Sequence, residues 1–268
     1  MLLYHYCSIE AFTSIMKSKS IMLSDITKSN DSTELISLLI EMKKQYVNDS
    51  DKASLDEIID GIKTVAICWA FCLSEEGNLL SQWRGYGADG AGFSIGFDEN
   101  TMNKYFPCKS NSFEIDLIKM DYTFDFSQLH NMGPNESKLF ALCKSFEIKN
   151  SAFAEEQEHR IAAISTKDTF FKQKIENNLT FCNKDDNSLF TFNNSNDSQM
   201  LKFGYKPNMT SYIELPFDFI GNPVREIIIG PKNKLTVADV KAFLVSEGFL
   251  KSLFDNSIVV KKSTIPYV

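Results

Sequence analysis

Hydrophobic and polar positions near the N-terminus change period twice. Leu2 to Ser8 (LLYHYCS) reads as a short aromatic-rich strand, after which Ile9, Phe12, Ile15 and Met16 recur at helical spacing behind Ser8 as an N-cap. Ser20 to Ile26 returns to an extended pattern, and a capped amphipathic helix is expected to begin near Asp31 or Ser32. A helix N-cap also accounts for Asn30, Asp31 and Glu34. Lys63 to Ser74 is a continuous apolar and β-branched run, the pattern of a strand buried on both faces. LLSQWRGYG (Leu79 to Gly87) reads as a short helix or turn, and Gly90 to Asp98 alternates like a strand. Further strands are expected at Phe113 to Tyr122, Glu158 to Ile164, Ser211 to Glu214 and Arg225 to Ile229, and helices at Glu136 to Ile148, Lys172 to Asn177 and Thr236 to Glu247. Asn183 to Met200, crowded with Asn, Asp and Ser, reads as a mobile loop or insertion. No repeat or heptad is visible. This order predicts an α+β fold of mixed, mostly antiparallel sheets with flanking helices, in one domain over residues 1–268 with a polar loop near 183–200.

Charge and composition narrow the function classes. A net charge of −7 argues against a general nucleic-acid binder, because nonspecific affinity comes mainly from Lys and Arg neutralising phosphates. No basic leader precedes a long apolar run, and no run reaches the length of a membrane span, so a cytoplasmic protein with no membrane partner is expected. The six cysteines are scattered without a CxxC and only three histidines are present, so free thiols are expected and a metal site is not.

Against this ordinary background three stretches stand out. Five of the twelve glycines, Gly85, Gly87, Gly90, Gly92 and Gly96, lie in one segment beside Trp83, Arg84 and Tyr86. Neither the dinucleotide-binding nor the P-loop pattern fits that segment. A hairpin with a bulge explains the glycines; the Trp83 to Tyr86 stretch reads as a stacking and anion-binding wall. Arg84, Arg160 and Arg225 are the chain's three arginines among 28 basic residues, which makes each a candidate for bidentate recognition, with a plain salt bridge the better account of Arg225. In FAEEQEHRIAAIS, a strand beginning near Glu156 would put Glu156, Glu158, Arg160 and Ala162 on one face. Charges so placed must pair with one another or meet a ligand; the competing account is a solvated helix end with Glu155 and His159 paired at i, i+4. Finally, His5 sits between Tyr4 and Tyr6 in the first strand, where a satisfied core histidine is the commoner outcome.

Taken together, LYHYCSIEAFTSIMKSKSIMLSDITKSND, FCLSEEGNLLSQWRGYGADGAGFSIGFD, FAEEQEHRI, REIIIGPKN and KKSTIPYV resemble the bacterial domain of unknown function 2971 family, in order and over nearly the whole chain. His159 stands where the family more often has Trp, adding an ionisable group beside the acidic pair, and Ser32 where it favours Pro. A second similarity is to the ADP-ribosyltransferase fold, in which an early strand bears His or Arg, a middle strand Ser or Tyr, and a late strand Glu around an NAD-binding cleft. That resemblance implies NAD as substrate and His5, Glu156 and Glu158 as catalytic residues. It implies Glu158 at the reacting ribose, Glu156 orienting the acceptor and His5 on the adenosine-side ribose. Tyr6 or Tyr86 would stack on nicotinamide, with Ser74 or Tyr86 at the middle-strand position, and Arg84 or Arg160 would face the pyrophosphate. Glycine backbone would then approach the cofactor closely.

The reading this supports is an ADP-ribosyltransferase or NAD-glycohydrolase-like enzyme, a toxin or phage-defence effector acting on a protein or nucleic-acid acceptor. The alternative is a noncatalytic nucleotide-binding or protein-interaction domain built on the Trp83 to Tyr86 wall. A magnesium-dependent nuclease using Asp31, Asp89, Glu156 and Glu158 is the third, with a poor ligand set.

Overall fold

Strand β3 (Ala66–Ser74) is where the sheet of this protein divides. The computed structural model of the chain describes residues 1–28, 35–46, 48–110, 114–125, 127, 140, 144–166, 179–182, 189–192, 202–217 and 221–267. In chain order the first elements are β1 (Leu2–Cys7), α1 (Ile9–Ser18), β2 (Ser20–Asp25), α2 (Ser37–Gln45), α3 (Asp49–Val65) and β3. They are followed by α4 (Leu80–Gly85), β4 (Phe93–Asp98), α5 (Glu99–Asn103), β5 (Cys108–Ser110), β6 (Glu114–Lys119) and β7 (Glu158–Thr166). The remainder comprises β8 (Leu179–Cys182), β9 (Leu189–Phe192), β10 (Lys202–Tyr205), β11 (Ser211–Pro216), β12 (Val224–Ile229), α6 (Val237–Ser246) and β13 (Val259–Lys262).

One edge of β3 pairs along its whole length with β7, from Ala66 with Thr166 to Ser74 with Glu158. The other edge is shared. β2 pairs at Trp69 and Ala70, and β1 pairs only at Ser74, through Tyr4. From there one branch runs β1, β4, β12, β13 and the other β2, β11, β10, while β7 continues through β6, β5, β8 and β9. Among the described residues the strand pairings are antiparallel except β12 with β13, which α6 joins as a βαβ crossover. The fold is therefore α+β with a mixed, mostly antiparallel sheet, as the order of elements predicts.

Period-two alternation sorts each strand between the main core and the opposite face. Leu3 and Cys7 of β1, Trp69 and Phe71 of β3, Phe93, Ile95 and Phe97 of β4, Ile161 and Ala163 of β7 and Ile227 of β12 share one large buried cluster with Phe12 and Met16 of α1. The neighbouring positions, Tyr4, Tyr6, Cys72, Ser74, Glu158 and Arg160, are left for the other side of the sheet, where the candidate site lies.

Several elements depart from the pattern-based expectation. The pattern-based reading gives no helix at α3, although Leu55, Ile59 and Ile62 are buried at i, i+4, i+7 and Asn48 caps it by accepting from the Ser50 N–H. α3 takes the first three residues of the strand expected from Lys63. β13 was also unassigned. Within the expected polar loop Leu189–Phe192 forms β9 against β8. The cap near Asp31 or Ser32, the helix at Lys172 to Asn177 and most of the helix at Glu136 to Ile148 lie outside the described residues.

The glycine cluster is explained by packing against the chain itself. A Cβ on Gly92 would stand 2.0 Å from the Cys7 carbonyl oxygen, one on Gly87 2.5 Å from the Trp83 ring, and Gly90 holds φ +84, a conformation L side chains rarely adopt. The close approach that these glycines permit is to β1 and Trp83, not to the cleft. Gly92→Ala should lower the unfolding free energy by about 2–3 kcal/mol, since the clash is with backbone that cannot step aside. Gly85→Ala, with nothing within 4 Å of its added Cβ, should be neutral to about 0.5 kcal/mol stabilising. Urea unfolding of the two variants beside the wild type measures the contrast.

Candidate functional site

Because β1 meets β3 at a single registered pair, the two strands part beyond Tyr4 and Ser74. His5 fills that gap. By alternation its side chain belongs with Leu3 and Cys7, yet it lines the cleft, its ring stacked on Phe71 at 4.0 Å between centroids and its Nδ1 2.8 Å from the Cys72 carbonyl oxygen. A carbonyl only accepts, so Nδ1 carries the proton and Nε2 is left as a bare acceptor. Burial pushes the imidazole down to about 4, against the Cys72 hydrogen bond that favours the protonated ring.

The cleft holds about 170 Å³ and is lined by Tyr4, Tyr6, Cys72, Ser74, Gln82 and Tyr86 on the aromatic and neutral side, and by Lys149, Glu156, Glu158 and Arg160 on the charged side. Glu158 and Arg160 share a face of β7, as period two requires. Glu156 is not in that strand: residues Ser151–Glu156 form a 3-10 turn, and Gln157 at φ 44 brings the chain round into β7. The turn nonetheless leaves both carboxylates within reach of one ammonium. Lys149 Nζ donates to Glu156 Oε2 and to Glu158 Oε2, each at 2.6 Å. Arg160 donates from Nε to Glu158 Oε1 at 2.8 Å and from Nη2 to Glu158 Oε2 at 3.0 Å. Tyr86 donates to Glu156 Oε1 at 3.1 Å, and Tyr122 accepts from the Glu158 N–H at 3.0 Å.

The four charges cancel, which makes their burial tolerable. Burial opposes ionisation of Glu158, but the Arg160 charge, its hydrogen bonds and Lys149 outweigh it and hold the carboxyl at about 2. Burial likewise opposes the Lys149 charge, and Glu158 and Glu156 more than restore it, leaving its pKa above the ordinary lysine value. Tyr86 is raised by burial and by Glu156.

Both His5 and Glu158 have folded-state values below their unfolded ones, so each contributes stability that is present above the unfolded value and lost on acidification. For His5 the loss runs from pH about 6.5 down through about 4, and for Glu158 from about 4.5 down through about 2. Stability should therefore rise with pH between about 4 and 6.5, and His5→Asn should flatten that slope. Urea midpoints at half-unit pH intervals check both.

Of the residues expected from the sequence, His5, Tyr6, Ser74, Tyr86, Glu156, Glu158 and Arg160 come together in this cleft. Trp83 and Arg84 do not. Trp83 is 0% exposed, packed edge-on against Tyr6 with its Nε1–H donating to Asn78 Oδ1, so no ligand can stack on it. Arg84 is exposed and lies over the Tyr267 ring, because α4 turns it away from its neighbour Gln82. The expected wall is therefore reduced to Tyr86. His159 points opposite to Glu158 and Arg160 along β7 and contacts Glu75 at 2.9 Å, so it does not join the acidic pair, and the i, i+4 pairing with Glu155 has no helix to carry it. Arg225 donates to the Asn222 and Val224 carbonyls, a structural contact. Asp89 is engaged by Lys232 and Tyr267, apart from the cleft, and Asp31 lies outside the described residues.

Sequence reasoning missed Lys149, Gln82, Cys72 and Tyr122. Ser74 is buried and accepts from the Glu76 N–H, and Tyr6 donates to the Glu76 carbonyl and accepts from the Leu79 N–H, so both hold the loop that leads into α4. Among the described residues no group of three or more His, Cys, Asp or Glu is placed to hold a metal ion, and no helix is long and apolar enough to cross a membrane.

No curated protein matches the chain, and no solved structure does. Residues 82–161, which include most of α4, all of β4 and the start of β7 with Glu158 and Arg160, match the model of the family described as Protein of unknown function (DUF2971), and over that segment the chain is similar to this family.

Proposed function

We propose that the cleft between β1 and β3 binds the nicotinamide ribose of NAD and that the protein transfers or hydrolyses its ADP-ribosyl group. The observation that carries this reading is that His5, Ser74 and Glu158, from three different strands, line one cleft beside aromatic side chains. Cleaving the glycosidic bond sends its electron pair to the ring nitrogen of nicotinamide and leaves positive charge on the ribose. An ionised carboxylate fixed beside that carbon stabilises the charge without reorganising. The ionised state of Glu158, kept down to well below neutral pH, supports that role. Glu156, steadied by Tyr86 and Lys149, stands next to it to orient a water or acceptor hydroxyl, which adds to the ribose and releases its proton to solvent. Tyr6 and Tyr86 supply apolar surface for the nicotinamide ring.

A second reading, noncatalytic nucleotide binding, is favoured by one detail. Both Glu158 oxygens already accept hydrogen bonds from Arg160 or Lys149, which lowers the negative potential they offer a ligand. Both readings predict that NAD binds the folded protein and raises its unfolding temperature by mass action. A thermal melt with NAD from micromolar to millimolar tests them. A concentration-dependent rise supports binding, and none up to millimolar NAD overturns both.

A further inference from the structure

Gln82 is 6% exposed, sits on α4 and lines the cleft, and no hydrogen bond among the described residues engages its carboxamide. Its backbone carbonyl is used, accepting from the Tyr86 and Gly87 N–H groups, so α4 is capped without the side chain. Among the described residues the buried side-chain atoms that lack a partner are the hydroxyls of Ser37, Ser81 and Ser94, so the amide of this otherwise buried side chain opens onto the cleft, where both its donor and its acceptor can meet a ligand. The surrounding charges offer it nothing. Lys149 and Arg160 are committed to Glu156 and Glu158, and the Tyr86 hydroxyl to Glu156. What remains for a ligand on this side is neutral: the Gln82 carboxamide, the bare Nε2 of His5 and the hydroxyl proton of Ser74.

We infer that Gln82 is a specificity-determining residue that pairs with an amide-like edge on the ligand, one hydrogen-bond donor beside one acceptor. This rests on the reading of the cleft as a nicotinamide-ribose site and deepens it. A carboxamide presents an NH₂ group and a carbonyl oxygen side by side, and only a partner with the same two functions satisfies both at once. The carboxamide of nicotinamide is such a partner. A carboxylate in its place has two acceptors and no donor, which leaves the Gln82 oxygen unmet and brings a third negative charge toward Glu156 and Glu158. The site therefore selects nicotinamide over nicotinic acid within the same dinucleotide.

The test compares equilibrium binding of NAD and of its nicotinic-acid analogue, by calorimetry, to the wild type, Gln82→Leu and Gln82→Met. The wild type is expected to prefer NAD by about tenfold to a hundredfold. Both variants should lose that preference, chiefly by weakening NAD, while their unfolding temperatures stay near that of the wild type, since an apolar side chain of similar size breaks no hydrogen bond within the protein. NAD binding with the same preference in wild type and folded variants overturns the role of Gln82 and leaves the nicotinamide-ribose reading standing. Failure of the wild type to bind either dinucleotide overturns that reading and the inference together. Two apolar replacements of different shape guard against a packing defect. If Gln82→Leu unfolds, Gln82→Met carries the comparison, and loss of fold in both shows a structural role and overturns the inference.

Discussion

Arg160→Met is expected to lower the unfolding free energy by about 3–5 kcal/mol, the largest stability effect of any single substitution in the cleft. Arg160 is 3% exposed and Glu158 5% exposed, and two of the guanidinium's hydrogen bonds go to the two oxygens of that carboxylate. Without Arg160, Glu158 keeps the Cys72 thiol and one cation, Lys149, which it shares with Glu156, so one carboxylate is left buried without full charge compensation. The carboxyl should then titrate well above 2, and the acid-labile window should move toward neutrality. The double variant Glu158→Leu/Arg160→Met removes both charges and should cost less than the sum of the single changes, because neither partner is stranded. Urea unfolding of the four proteins at pH 7 closes this cycle. Strict additivity would mean that the pair is not coupled as its geometry requires.

Glu158→Gln is expected to slow nicotinamide release at least about a hundredfold while leaving NAD affinity unchanged or somewhat tighter. The amide keeps the shape and its one oxygen still accepts from Arg160, while its NH₂ group replaces an oxygen that accepted from a cation, so the variant is compared with the wild type at equal folded fraction. On the proposed reaction it withdraws the charge that stabilises the developing oxocarbenium, an effect confined to the transition state. It also leaves the cleft with two cations and one anion, which favours the pyrophosphate of the substrate. A fall in kcat without a rise in KM is the signature of that division. A rise in KM with kcat preserved would make Glu158 a binding residue instead.

The legible parts of this fold are those whose role is written in local pattern. β3, β4, β7 and β12 alternate apolar residues into a single core, and the same alternation puts Glu158 and Arg160 on one face, whereas Glu156, expected beside them in the strand, belongs to the preceding 3-10 turn. Lys149 escapes because a lone lysine carries no periodic signal, and its importance comes from the 3-10 turn and β7, which follow it and bring Glu156 and Glu158 to its ammonium. Trp83 misled for the converse reason. An aromatic residue next to Arg84 and glycine reads as a wall, but its real neighbours, Tyr6 and Ile228, come from β1 and β12. Gln82, in the same short helix, had no sequence feature to separate it from that wall. β13 is short, and its pairing with β12 exists only because α6 returns the chain parallel to it. His5 was visible as a candidate, whereas its entry into the cleft depends on the parting of β1 from β3, which no single strand's pattern contains.

The most direct measurement on this account is one time course of nicotinamide release from NAD, run with wild type and Glu158→Gln side by side at equal folded fraction. Steady release by the wild type, slowed at least about a hundredfold in the variant, is the predicted result. Equal rates in the two proteins, or no release by either at saturating NAD with acceptor-containing lysate present, would contradict it.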